Sequence, residues 1–215
     1  MKKQCIALNI LLLVTFSPQS QGAQGTIEQS LKNDFNKAQQ TIANNFTNAF
    51  MGVSVSGLVK NALGQQNLLN CCTSITALEP LIEKYSADYL YRPDATLMAI
   101  MSEVGQACSN LTSIALTTGK LLGQGDYAAV SSQLSQFQAL QDKMLDLIKR
   151  LESTNYYLFG KKECNRMLIY AATVIESSAN RAQKDFTKEF IQKAPVGFKS
   201  QQSGAGALKE FILKK

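Results

Sequence analysis

Cys71, Cys72, Cys108 and Cys164 are the residues of this sequence best able to form covalent bonds with one another. In an oxidising compartment an even set of cysteines reads as two disulfides, for which three connectivities are open. A bond between the adjacent Cys71 and Cys72 would close a strained ring, so the expectation is one bond from each of them, to Cys108 and to Cys164. Those bonds would staple three helices at one level. A thiolate metal site is disfavoured, because the spacings lack the short cysteine pairs and the histidines that zinc sites use. A fifth cysteine, Cys5, precedes an apolar run and leaves with the leader described below.

The chain has no histidine. This removes the usual general base of serine and cysteine hydrolases and the commonest ligand of catalytic zinc. No glycine-rich run ends in Gly-Lys-Ser or Gly-Lys-Thr, and Gly119-Lys120 is followed by leucines, so a phosphate-cradling loop is not expected. Glu79, Glu83, Asp88, Asp94 and Asp126 fall at predicted helix ends or loops, where capping and solvation explain them. Lys161-Lys162-Glu163 opens a helix and needs no role beyond solvation. The expectation is a protein without enzymatic activity and without a cofactor or metal.

Asn45-Phe46-Thr47 and Asn110-Leu111-Thr112 have the form of N-glycosylation acceptors, which matters only in a eukaryotic source. Each asparagine neighbours a predicted core residue, Phe46 or Leu111, and is expected to face outward.

The elements that must position these residues begin with a leader. Lys2 and Lys3 precede an apolar run over residues 6–16, shorter than the roughly 20 residues a spanning helix needs. Pro18 breaks the run, and Ser20-Gln21-Gly22 places small residues three and one before a cut ahead of Ala23. Residues 1–22 therefore read as a cleaved signal peptide, and the mature protein as secreted, to the periplasm or the extracellular space. Removing Lys2 and Lys3 lowers the formal charge from +6 to about +4, with acids and bases intermixed. Nucleic-acid footprints are clustered, so a nucleic-acid partner is not expected.

Residues 23–195 read as one helical domain. Thr26 and Gln29 form a capping box that predicts a helix start, followed by Ile27, Leu31, Phe35, Ala38, Ile42, Phe46 and Ala49 on one face. A bend over residues 51–57 leads to a second helix over 58–79, interrupted near Gly64 and restricted by Pro80. Residues 81–91 add a turn or two, with Tyr85, Tyr89 and Tyr91 packing their rings and keeping their hydroxyls wet. Asp94 is the natural N-cap of a third helix with Leu97, Met101, Val104, Cys108, Leu111, Ala115, Thr118 and Leu122 in three-four rhythm. Gly123-Gln124-Gly125 ends it and Asp126 caps a fourth, with Tyr127, Val130, Leu134, Phe137, Leu140, Met144, Ile148 and Leu151 inward. So short a loop makes the pair antiparallel. A fifth helix over 161–194 turns Cys164, Leu168, Ala171, Ile175, Ala179, Ala182, Phe186 and Phe190 inward and closes at Pro195. No strand-length alternation competes, so the predicted fold is an all-α antiparallel bundle of four or five long helices stapled by disulfides.

Residues 196–215 read as a flexible linker and a short basic amphipathic tail bearing Leu208, Phe211, Ile212, Lys214 and Lys215. Those residues dock on the bundle or attach it to a partner or a membrane surface. With catalytic motifs lacking, function is expected to lie in the surface, through binding another macromolecule, most plausibly a protein. The competing expectation is a carrier that holds an apolar, lipid-like ligand among Phe137, Met144, Phe186 and Phe190.

Overall fold

Five helical rods, laid alternately up and down, follow from apolar stripes that recur every three or four residues and are joined by short connections. The computed structural model describes residues 19–51 and 54–195, with side-chain surroundings from residue 25 onward. The elements are α1 (Gln19–Phe46), one π-helical turn (Thr47–Met51), α2 (Val55–Leu58), α3 (Ala62–Thr76), α4 (Glu79–Ser86), α5 (Ala95–Gln124), α6 (Tyr127–Ser153) and α7 (Phe159–Lys193). No strand occurs among the described residues, and no helix there is long and apolar enough to cross a membrane.

The rods' directions are set by their cross-links. Ser30 and Asp34, midway along α1, meet the Tyr85 hydroxyl, while nearer its end the Asn45 side-chain amide donates to the Asn70 carbonyl. The α3–α4 rod therefore runs back along α1. Thr112 donates to the Leu68 carbonyl, so α5 runs against α3. Glu103 on α5 pairs with Lys143 and Arg150 on α6. Along α6 and α7, the Asn165 amide donates to the Leu151 carbonyl, Gln141 meets Gln183, and the Tyr127 ring lies edge-on to Phe190.

The predicted inner faces of α5 and α7 are buried at every position, and that of α6 at all but the half-buried Tyr127 and Ile148. Three expectations need correction. Helix α1 starts at Gln19, not at the Thr26 capping box, and runs through Gly22 and Gly25 despite their poor helix propensity, as an extension of the anchored turns after Thr26. Ile27 consequently lies beyond the core and is 60% exposed. The break in the second rod falls at Asn61, whose side chain caps α3 through the Gly64 amide at 2.7 Å; Gly64 sits inside the first turn, where a Cβ would lie 2.0 Å from the Leu58 carbonyl oxygen. Pro80 opens α4 from its first turn instead of ending a helix. Residues 1–18 of the expected leader and the tail residues Leu208, Phe211, Ile212, Lys214 and Lys215 lie outside the described residues.

At the end of the bundle where α7 finishes, Glu189 holds α2 to α7. Its Oε1 accepts from Lys60 at 2.9 Å and from Lys193. Burial pushes the Glu189 carboxyl up, but hydrogen bonds from Lys193, Ser56 and Lys60 outweigh it and hold the carboxyl near about 2, against an ordinary 4.5. A depressed carboxyl stabilises the fold above its unfolded pKa, and that contribution is lost as pH falls from 4.5 towards 2. Thermal melts across that window should decline less steeply for Glu189→Gln than for the parent. Parallel declines would show that the carboxylate is not part of the acid limb.

Candidate interaction surface

At the opposite end of the bundle, two loops project side chains that the fold does not bury. The first runs from α4 to α5. Asp88 organises it: Oδ1 accepts from the Leu90 amide at 2.7 Å and the Arg92 amide at 3.1 Å, while its backbone amide donates to the Arg92 carbonyl at 2.9 Å. This is an Asx turn built on one short carboxylate. On its outer rim Tyr89 is 87% exposed, Leu90 53% and Tyr91 91%. Tyr91 has φ 59°, a left-handed conformation that a bulky side chain adopts at an energetic cost.

The loop's far end is fastened to α7. The Asp94 amide donates to the fully buried Ser86 hydroxyl at 3.1 Å, and Asp94 Oδ1 accepts from the Thr96 and Leu97 amides at 3.0 Å, the predicted N-cap. Asp94 Oδ2 takes the Lys161 ammonium at 2.8 Å, with side chains only 15% and 20% exposed. Burial raises the Asp94 carboxyl, yet Lys161 and the two amides together hold it below the ordinary carboxylate value. Lys161 is in turn pushed up, first by its hydrogen bond to Asp94. A Cβ on Gly160 would lie 2.2 Å from the Tyr85 carbonyl oxygen, so glycine alone lets the first turn of α7 close on the end of α4.

That closure sets the second loop, between α6 and α7, beside the first. Tyr157 is 98% exposed and Leu158 55%. The neighbouring Tyr156 is half-buried, and its hydroxyl is pushed up by burial and then by the charge of Asp94. Tyr85 packs its ring as expected, tilted against Phe35 at 5.7 Å, but its hydroxyl is bonded to Asp34, Ser30 and Lys84 instead of being left to water. Tyr89 and Tyr91 do not, because the Asx turn aims them away from the core. An aspartate two and four residues before the amides it binds was the available signal for that turn.

No family model, curated protein or solved structure matches the chain.

The remaining candidates are dispersed. All four described cysteines are free. Cys72 lies on α3 facing Cys108 and Thr112 on α5, with Sγ 3.2 Å from the Thr112 hydroxyl. Cys164 packs instead on the Ile82 carbonyl in α4. Ile82 is some ten residues beyond Cys72 on the α3–α4 rod, roughly 15 Å at 1.5 Å per residue. The expected staple from Cys71 or Cys72 to Cys164 is thus replaced by separate sites, since α4 and not α3 covers the start of α7. Of the two sequons, Asn110 is exposed as expected, whereas Asn45 is half-buried and bonded to the Asn70 carbonyl at 3.2 Å, because α3 covers that side of α1.

Proposed function

We propose that this chain is an exported, non-enzymatic protein that acts by binding another protein through the tyrosine-bearing end of its bundle. The observation that carries the reading is the exposure of Tyr89, Leu90, Tyr91, Tyr157 and Leu158 on two adjoining loops held by hydrogen bonds and an ion pair. Tyrosine rings supply large contact area at little conformational entropy, and interfaces are enriched in them. The surrounding charges are balanced, with Lys84, Arg92 and Lys162 set among Glu83, Asp88 and Glu152. A protein surface suits that mixture better than an anionic membrane does.

The carrier reading has less support. Phe137 and Phe186 stack at 5.8 Å, and both rings, Met144 and Phe190 are fully buried. The attachment tail remains a proposal from its sequence alone.

The decisive comparison is among the parent, a Tyr89→Ser/Tyr91→Ser/Tyr157→Ser variant, an opposite-end Lys188→Ser variant and a truncation after Ser203. Each is crosslinked to proteins from the medium and surface of the producing cells. The triple variant should lose the parent's partner, with affinity down at least about 100-fold and melting temperature little changed. Lys188→Ser should keep it. Retention by the triple variant with loss on truncation would move the function to the tail. Equal binding of parent and triple variant to phosphatidylglycerol vesicles, with no protein partner, would overturn the reading.

A further inference from the structure

Cys71 and Cys72 are neighbours on α3, and successive helical residues point about 100° apart, so only one of them can face α5. Cys71 turns into the core, 1% exposed, with its thiol donating to the Asn67 carbonyl at 3.4 Å. Cys72 faces the α3–α5 seam, half-buried, with its sulfur 3.2 Å from the Thr112 hydroxyl, one helical turn from Cys108 on the same buried face of α5. Cys108 is buried to 1% behind it. An outer thiol that reagents can reach and an inner one that they cannot is the arrangement of an attacking and a resolving cysteine.

We propose that Cys72 and Cys108 form a dithiol that a small-molecule disulfide oxidises to a covalent bond between α3 and α5, leaving Cys71 and Cys164 as thiols. This goes beyond partner binding and does not depend on it.

The electrostatics favour the same order of events. The Cys72 thiol is lowered to about 6, first by its hydrogen bond with Cys108, against burial, and then by Thr112 and Ser109. The Thr112 hydroxyl lies 3.2 Å from the Cys72 sulfur and 3.4 Å from the Leu68 carbonyl, so it is placed to donate to a Cys72 thiolate. Cys108 is pushed up by the same hydrogen bond and by burial. Burial lifts Cys71 and Cys164 to about 12. The Cys72 thiolate attacks one sulfur of the external disulfide, forming a mixed disulfide and expelling the other half as a thiolate. Cys108 then gives up its proton to solvent and attacks the Cys72 sulfur, expelling the second half. The protein loses two electrons and two protons, and the external disulfide is reduced to two thiols.

The test treats the reduced full-length chain with glutathione disulfide at neutral pH, alkylates the remaining thiols and maps tryptic peptides without reduction. Peptide 61–84 should be joined to peptide 85–120, with Cys164 recovered alkylated. Cys71→Ser should keep the link and Cys72→Ser should abolish it. Cys108→Ser should stop at one glutathione on Cys72, an outcome that a merely structural cysteine pair would not produce. In the parent, iodoacetamide at neutral pH should label Cys72 at least about tenfold faster than Cys71, Cys108 or Cys164. A link from peptide 61–84 to any other peptide, a link that survives Cys72→Ser, or no link at all overturns the proposal.

Discussion

Replacing Phe186 with alanine is expected to lower the free energy of unfolding by about 3–5 kcal/mol. The ring is fully buried, stacks on Phe137 at 5.8 Å with 24° between planes, and lies one turn before the equally buried Phe190. The preceding turns of α7 carry Ala179 and Ala182, so little bulk is at hand to collapse into the space. The loss should therefore approach the upper end of that range, a fall in melting temperature on the order of 10 °C. Urea titrations of Phe186→Ala, Phe137→Ala and the double variant would measure it. The two single losses should not add, because both variants open the same cavity. A loss below about 1 kcal/mol would mean that the interior has room around these rings, and would return the carrier reading to favour.

Asp94→Ala is expected to cost about 2–4 kcal/mol, which is large for a partly exposed residue, because one carboxylate performs two tasks. Oδ1 satisfies two first-turn amides of α5, a cap contributing about 1 kcal/mol. Oδ2 is the counter-charge of a mostly buried Lys161, and leaving that ammonium without its partner adds about 1–3 kcal/mol. Asp94→Asn keeps the capping oxygen and loses the charge, so it should fall between the parent and alanine. Its stability should also lose the part of the acid dependence that Asp94 confers. The folded carboxyl lies below its ordinary value, so its contribution is present at neutral pH and disappears as acid protonates it. Hydrogen exchange should rise across residues 87–94 in Asp94→Ala, loosening the tyrosine loop. Equal stability of the Asn and Ala variants would show that charge, not capping, accounts for the whole effect.

The faces of α5, α6 and α7 were legible because each carries one apolar stripe over some eight turns, long enough for period 3.6 to stand out from any competitor. Asp94, Asp126 and Gly125 were legible for a different reason. Caps act through a short carboxylate or a left-handed residue at one position, and Gly125 does adopt φ 74°. Gly64 misled because glycine in a sequence signals freedom, whereas here it answers to close approach of the Leu58 carbonyl. Thr26 misled because a capping box marks where a helix can start and does not stop one that enters from upstream. The facing of Cys72 depends on rotation of α3 about its axis, to about half of a helical step, and adjacent cysteines carry no record of that angle. Tyr89 and Tyr91 read as rings packed on the fold with wet hydroxyls; they stand on a turn closed by the carboxylate of Asp88, a residue expected to cap a helix or to be solvated.

Helix α7 touches α1, α2, α4, α5 and α6, and every element it covers precedes it in the chain. Until residue 159 onward has been made, the apolar sides of those rods have no lid, and their packing is incomplete. Before then only partial pairings are open to the chain, α1 with α3, α3 with α5, and α5 with α6 through their tight loop. Late closure leaves the apolar faces of long helices bare until the final rod arrives, the interval in which association between chains competes with folding.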